Sequence, residues 1–474
     1  MPLASFAFLL GFLPIVAIGT HALHDRVSAR AAQSWVLAAS LLFYTGSGAK
    51  YLALLLASIA FNWAISRSFT SPRFGAVGRK RMLQIGLFVD VLVLCSFKYT
   101  NFFLGAAARI AGHGVVLPNW GFPLGISFFT LAQVMYLVDC YEKLIPPNSV
   151  FNHATFVSLF ANVTAGPIER SRHLVGQFGA LGSLDGRDDR LARSIALLAM
   201  GLFKKVVLAD SFARVSNAGY GNIATLSTTG AWVTSLAYTF ELYFDFSGYS
   251  DLAMGAAGLL GVSLVQNFDA PYRARSVSEF WQRWHISLSN FITTYLYTPI
   301  IRSMGRVTIH KATVATLLAM AIAGLWHGPA WTFVLFGVMH GLGLATNQYW
   351  KRVKRPLPKP IAVVATFVFV NLTLIVFRSG NLGNAVWVAS RLLPRERLIS
   401  VADIMRAIPS AVLPMIVLPI LFGSLAAFAG PTSNEIAAGF RPSRIAALGV
   451  AAILFVSFLF MMAGTGSDFV YRAF

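Results

Sequence analysis

Charge is what this sequence has least of. Only 12% of its 474 residues are Asp, Glu, Lys or Arg, about half the share found in an ordinary soluble domain. That scarcity argues against a large solvated surface and points to lipid. Cysteine is nearly absent too: Cys95 and Cys140 both stand in apolar surroundings, which excludes a disulfide framework and a zinc-ribbon spacing. There is no His-Glu-x-x-His, no Cys-x-x-Cys and no Gly-rich phosphate loop, so metal-hydrolase and nucleotide-binding chemistry lack their ligands. A zinc site built from His285, His327 and His340 is conceivable but has no supporting spacing, and neither a bound cofactor nor a metal is expected. No repeat of 20–50 residues and no inverted pair of broken helices is evident, which weighs against a transporter built on internal symmetry.

What is present is hydrophobic sequence, 56% of the chain. A spanning helix needs roughly 20 mostly apolar residues to cross a hydrocarbon core about 30 Å thick. Apolar runs fall near 3–20, 31–46, 51–66, 82–97, 122–140, 153–165, 192–209, 230–262, 286–300, 312–326, 330–349, 360–377, 411–429 and 444–463. Several are too short to cross alone, so the expectation is an all-α polytopic membrane protein with about 11 spans plus re-entrant or short pieces. Residues 1–474 read as one integral domain. The run Leu3 to Gly19 has no preceding basic residue and no small-residue cleavage pattern, so it reads as a retained membrane helix and not as a secretory signal.

The net charge of +20 would suit nucleic acid, but its Lys and Arg residues sit in short links between apolar runs, as positive-inside bias requires. The clusters Arg67, Arg73, Arg79, Lys80, Arg81 and Lys351, Arg352, Lys354, Arg355, Lys359 are therefore expected on the cytoplasmic side, with anionic lipid as their partner. Arg26 and Arg30 fall on that side as well, which places the N-terminus outside. The polar link from Gly176 to Arg193, with Asp185, Arg187, Asp188, Asp189 and Arg190, reads as a solvated loop.

Polar side chains at membrane depth cost roughly 2.5–3.5 kcal/mol per charge on insertion scales, so each needs a reason. Three stretches concentrate them. Glu241 to Asp251 lies inside an apolar run; Glu241 and Asp245 are four apart on one helical face, and Gly248 could loosen the helix before Asp251. These acids either pair with arginines or, with Tyr243, Tyr249 and Ser250, line a polar passage. In Glu279-Phe-Trp281-Gln-Arg283-Trp284-His285, a cation and an imidazole sit between indoles. Interfacial Trp anchoring with Arg283 snorkelling is one reading; His285, able to change protonation near neutrality, supports a chemical one.

The third stretch, Ala323-Gly-Leu-Trp326-His327-Gly328-Pro329-Ala-Trp331, falls where two apolar runs meet. Pro329 suits the first turn of a helix and disfavours helix at Gly328, so His327 is expected at a break just before a new helix. The positive end of that helix, with desolvation, would favour an uncharged imidazole able to accept a proton from a hydroxyl or thiol. A satisfied core histidine is the alternative. His340, thirteen positions on, falls on a different helical face and reads as structural, with a place in a passage wall as its other reading.

Taken together, these residues resemble the membrane-bound O-acyltransferases, and within them the alginate O-acetyltransferase membrane subunit and its bacterial relatives. The matching pieces are Phe97-Lys98-Tyr99 with Asn101-Phe102-Phe103, Pro123 to Thr130, Ala165-Gly166-Pro167-Ile168, Tyr243 to Asp251, Phe280 to Ser289, and Gly324 to Gly328 followed by His340-Gly341. The signature core runs over about 97–341, with scattered similarity such as Phe377-Arg378 beyond it. Where alginate-type relatives commonly carry Arg-Asp before a Tyr-Leu-Tyr segment, this chain has Thr293-Thr294, and the Gly-Gly that usually follows is replaced around Ile300-Ile301-Arg302.

The resemblance implies a ring of helices around a thin centre pierced by a tunnel, with His327 as the principal catalytic histidine and His285 lining the same passage. Asp245, Tyr249, Asp251, Arg283, Trp284, Trp326 and His340 are the further candidates for its wall. It implies an acyl thioester donor, most simply acetyl-CoA, on the cytoplasmic side. A periplasmic acetyltransferase partner would deliver the acetyl group to an exopolysaccharide, alginate-like by default. Peptidoglycan, cellulose, teichoic acid, a lipid or a protein are alternative acceptors, and a proton-coupled transporter or channel is the alternative of a different class.

Overall fold

Every regular element in the computed structural model is a helix, and no strand occurs among the described residues, which are 2–112, 118, 121–183, 186–393 and 413–464. Asp185 of the polar link and the first two residues of the 411–429 run lie outside them. Five helices are long and apolar enough to cross a bilayer: Ala7–Arg26, Ala49–Ser68, Ile309–His327, Lys359–Arg378 and Arg444–Met462. Ala76–Lys98 and Thr100–Ala108 make a sixth if their 60° bend is one broken span. The chain is therefore a multi-pass helical protein, while the expected count of about 11 is not established. Several of the apolar runs form helices that are short or carry embedded acids, such as Ile126–Tyr141 and Thr228–Leu259.

The chain divides into two compact units. The first comprises residues 1–198, 249–265 and 437–450; the second comprises 199–248, 266–436 and 451–474. In the first, the His21 ring lies 3.0 Å from the Gly182 carbonyl and 2.9 Å from that of Leu259, tying the N-terminal helix to two distant turns. The polar link departs from its expected form here: from Arg187 onward it is helical, beginning the helix Arg187–Phe203. Asp188 and Asp189 fall in its first turn, where carboxylates meet the positive end of the helix dipole.

The second unit holds both histidine stretches. Its frame is the antiparallel hairpin of Ile309–His327 and Trp331–Val353. Thr308 caps the first helix by accepting from the Lys311 amide. Two glycines let the helices touch: a Cβ at Gly337 would lie 2.1 Å from the Met320 carbonyl oxygen, and one at Gly324 would lie 2.3 Å from that of Phe333. Small residues are how helices in lipid gain close van der Waals packing, since hydrocarbon solvent offers no hydrophobic drive. This contact holds His327, at the end of the first helix, against the second. Gly337→Val should therefore destabilise the detergent-solubilised protein by about 2 kcal/mol or more, measured as a lowered thermal midpoint; an unchanged midpoint would show that the hairpin does not depend on the contact.

Candidate active site

His327 is the last residue of Ile309–His327, followed by an extended Gly328 (φ −176°) and by Ala330 as cap of the next helix. The expected break exists, but it is placed differently. Pro329 lies in the linker and not in the first turn, since the next helix begins only at Trp331; its steric demand on Gly328 ends the first helix at His327, as expected. His327 is thus the last residue at the carboxyl end of its own helix, with Gly328 as its cap, and the argument from a positive dipole does not hold. What surrounds the ring is apolar. The ring is buried against Trp326, Phe377 and Phe336, with centroids 5.1, 5.2 and 6.0 Å away.

His285 links the short helices Val277–Arg283 and Ile286–Phe291 and adopts a left-handed backbone, φ +43°. A non-glycine residue held there is uncommon and requires local support. Asn267 supplies it. Its Oδ1 accepts from the Ser287 amide at 3.2 Å and the Ser287 hydroxyl at 2.9 Å, and lies 3.1 Å from His285 Nδ1, while its carbonyl accepts from the Ile286 amide. An oxygen that accepts a backbone N–H can only accept from the ring as well, so Nδ1 carries a proton and Nε2 bears the lone pair of the neutral imidazole. Phe246 packs edge-on at 4.7 Å.

Both histidines face one cavity, whose wall also includes Trp281, Trp284, His340 and Phe377. It is narrow: its water-accessible room is about 10 Å³, the size of a single water molecule. His340 is in this wall because it belongs to a different helix from His327; the break resets the helical register, so the argument from thirteen positions of separation does not apply. Both its ring nitrogens are engaged, by the Trp281 indole N–H at 3.1 Å and by the Thr373 hydroxyl at 2.9 Å.

The remaining candidates divide. Trp284 lines the cavity, and Trp326 packs edge-on beside His327 without being among the described lining residues. Arg283 is paired with Glu279 at 3.1 Å and Asp269 at 3.3 Å. Asp245 lies 2.9 Å from the Lys205 ammonium, which also reaches Asp210 at 2.9 Å. The partner of this buried acid is thus a lysine on the π-helix Lys204–Ala209 and not an arginine. Gly248 lies within the helix Thr228–Leu259 without ending it and serves close approach: a Cβ there would lie 2.8 Å from the Gly201 carbonyl oxygen. Tyr249 and Asp251 belong to the first unit, where the Tyr249 hydroxyl bonds that of Thr164. Sequence reasoning missed Lys205, although a lysine inside an apolar run was a signal; it missed Asn267, whose partners are set by tertiary contact alone.

Buried imidazoles, that of His285 with a fixed tautomer, enclosed by aromatic rings inside a helical membrane protein, suit proton transfer to or from a group shielded from water. That is the equipment of a membrane acyltransferase. Residues 78–386 match the membrane-bound O-acyltransferase (MBOAT) family, and the chain belongs to it. It is 35% identical to a "Peptidoglycan O-acetyltransferase" of Helicobacter pylori, over 81% of this chain and 77% of that one. It is also 35% identical to a "Probable alginate O-acetylase AlgI" of Azotobacter vinelandii, over 81% and 76%. A "Teichoic acid D-alanyltransferase" of Streptococcus thermophilus is 29% identical over 56% and 69%. The protein is a membrane-bound O-acyltransferase.

Within that activity, Asn267→Leu should lower acyl transfer in proteoliposomes on the order of 10²-fold by releasing the His285 ring, and Asn267→Asp, which keeps an acceptor oxygen, should lose less. Equal rates for both variants and wild type would show that the Asn267 contact does not position the ring.

Proposed function

We propose that the enzyme carries an acetyl group from a cytoplasmic thioester, most simply acetyl-CoA, to a hydroxyl destined for an extracytoplasmic glycan, with His327 as general base. The observation that supports this most is that His327 and His285 share one dry cavity. In the proposed step His327 takes the proton of the acceptor hydroxyl. The oxygen forms a bond to the thioester carbonyl carbon, the C–S bond breaks, and the leaving thiolate takes up a proton. Trp284, whose indole N–H can only donate, is the polar group of the cavity wall suited to the developing oxyanion, which gains most where water is excluded; His285, its one proton held by Asn267, can only accept at Nε2. An imidazole can also act as nucleophile, so a transient acyl-histidine is compatible with the same geometry.

Exposed Lys351, Arg352, Lys354 and Arg355 would draw the donor's phosphates to the cytoplasmic side, with the N-terminus outside and the protein in the bacterial inner membrane. The acetyl group would then pass to a periplasmic partner acetyltransferase acting on an exopolysaccharide. The two relatives at 35% identity are named for alginate and for peptidoglycan; both names describe acetyl transfer to a glycan, and an alginate-like polymer is the default acceptor.

His327→Ala should abolish acetyl transfer and His285→Ala should lower it by about 10²-fold or more, read as thiol release coupled to acceptor acetylation. Unchanged turnover in His327→Ala would refute the base assignment. Deletion of the gene should remove ester-linked acetate from the acceptor glycan; retention of that acetate in every extracytoplasmic glycan would refute the glycan assignment.

A further inference from the structure

Beside the histidine cavity, and sharing Trp281 with it, lies a larger half-open cleft of about 430 Å³. Its wall includes Ser278, Gln282, Ser289, Asn290, Thr293 and Gln348, and no charged side chain lines it among the described residues. Part of the wall is the π-helix Ile292–Tyr297, a distortion that widens a helix and recurs at functional sites. The Gln348 side chain donates through Nε2 to the Thr316 hydroxyl at 3.1 Å, while its buried Oε1 has no hydrogen-bond partner among the described residues. The cleft therefore offers an unused acceptor to an uncharged hydroxyl or amide donor.

We propose that Trp281 is a movable partition between this cleft and the histidine cavity, latched shut by His340, and that its position limits the size of the acyl group that reaches His327. The latch follows from donor chemistry. The indole N–H can only donate, so His340 Nδ1 accepts at 3.1 Å. The neutral His340 ring then holds its proton on Nε2 and gives it to Thr373 Oγ1 at 2.9 Å, and the Thr373 hydroxyl donates to the Val370 carbonyl at 2.7 Å. The chain Trp281, His340, Thr373 uses both imidazole nitrogens, which makes His340 a positioning residue rather than a base. Behind the closed indole there is room for about one water, too little for an acetyl thioester. The passage has to open, and rotation of the one ring common to both walls opens it at the loss of one neutral hydrogen bond and of the ring's edge contacts with Phe280 and His340.

The size limit rests on the proposed acyl transfer; the partition itself does not, and the two are tested separately. In a background with Cys95 and Cys140 replaced by Ala, His327→Cys should react slowly with a small methanethiosulfonate. Adding Trp281→Ala should speed that reaction at least tenfold, and adding Trp281→Phe, which keeps a ring without the N–H, should speed it less. Ser289→Cys in the cleft wall should react at one rate in all three backgrounds, which also reports that they fold. Equal labelling of His327→Cys with and without the Trp281 substitutions would overturn the partition. For turnover, Trp281→Ala should raise the hexanoyl-to-acetyl rate ratio at least tenfold. An unchanged ratio in a variant that still transfers acetyl would overturn the size limit, while faster labelling with no transfer of any acyl group by wild type would count against the acyltransferase reading of this site alone.

Discussion

An imidazole taken out of water must have its hydrogen bonds arranged by the protein, because no solvent remains to complete them. The second unit is organised around that requirement. Asn267 holds one tautomer of His285 while bonding the Ser287 amide and hydroxyl, so a single side-chain oxygen fixes both a ring and the start of a helix. Thr373 and Trp281 do the same for His340. The ammonium of Lys205 sits between two carboxylates at equal distance, 2.9 Å; removing it would leave two buried acids facing each other, a loss costing about 3–5 kcal/mol where such pairs have been broken.

Packing converts these local arrangements into a site. The glycine contact of the hairpin brings the end of Ile309–His327 against Trp331–Val353, so that His327 from one helix and His340 from the next meet the His285 turn at one cavity. Aromatic rings fill the remaining space. Phe336 touches His327, His340 and Phe377, which ties the ring positions together and keeps the cavity small.

The two histidines were legible in the sequence because a polar group inside apolar sequence needs a reason, and few reasons exist at membrane depth. The helical class was legible from run length for the same physical cause. The helix count was not, since an apolar run does not say whether it forms one span, a bent pair such as Ala76–Lys98 with Thr100–Ala108, or a shorter element. The dipole at His327 was misjudged because Pro329 was placed in the first turn of the next helix, whereas that helix begins only at Trp331 and His327 closes the helix before it. Asn267 carried no sequence signal at all: it contacts residues 18 and 20 positions away through a fold that periodicity does not encode.

The most direct measurement is a structure of the protein in nanodiscs with a non-hydrolysable thioether analogue of the acetyl donor. The expected result places the analogue's carbonyl carbon in the cavity between His285 and His327, within reach of the His327 ring. An analogue seated elsewhere, with that cavity still closed around its single water volume, would contradict the assignment.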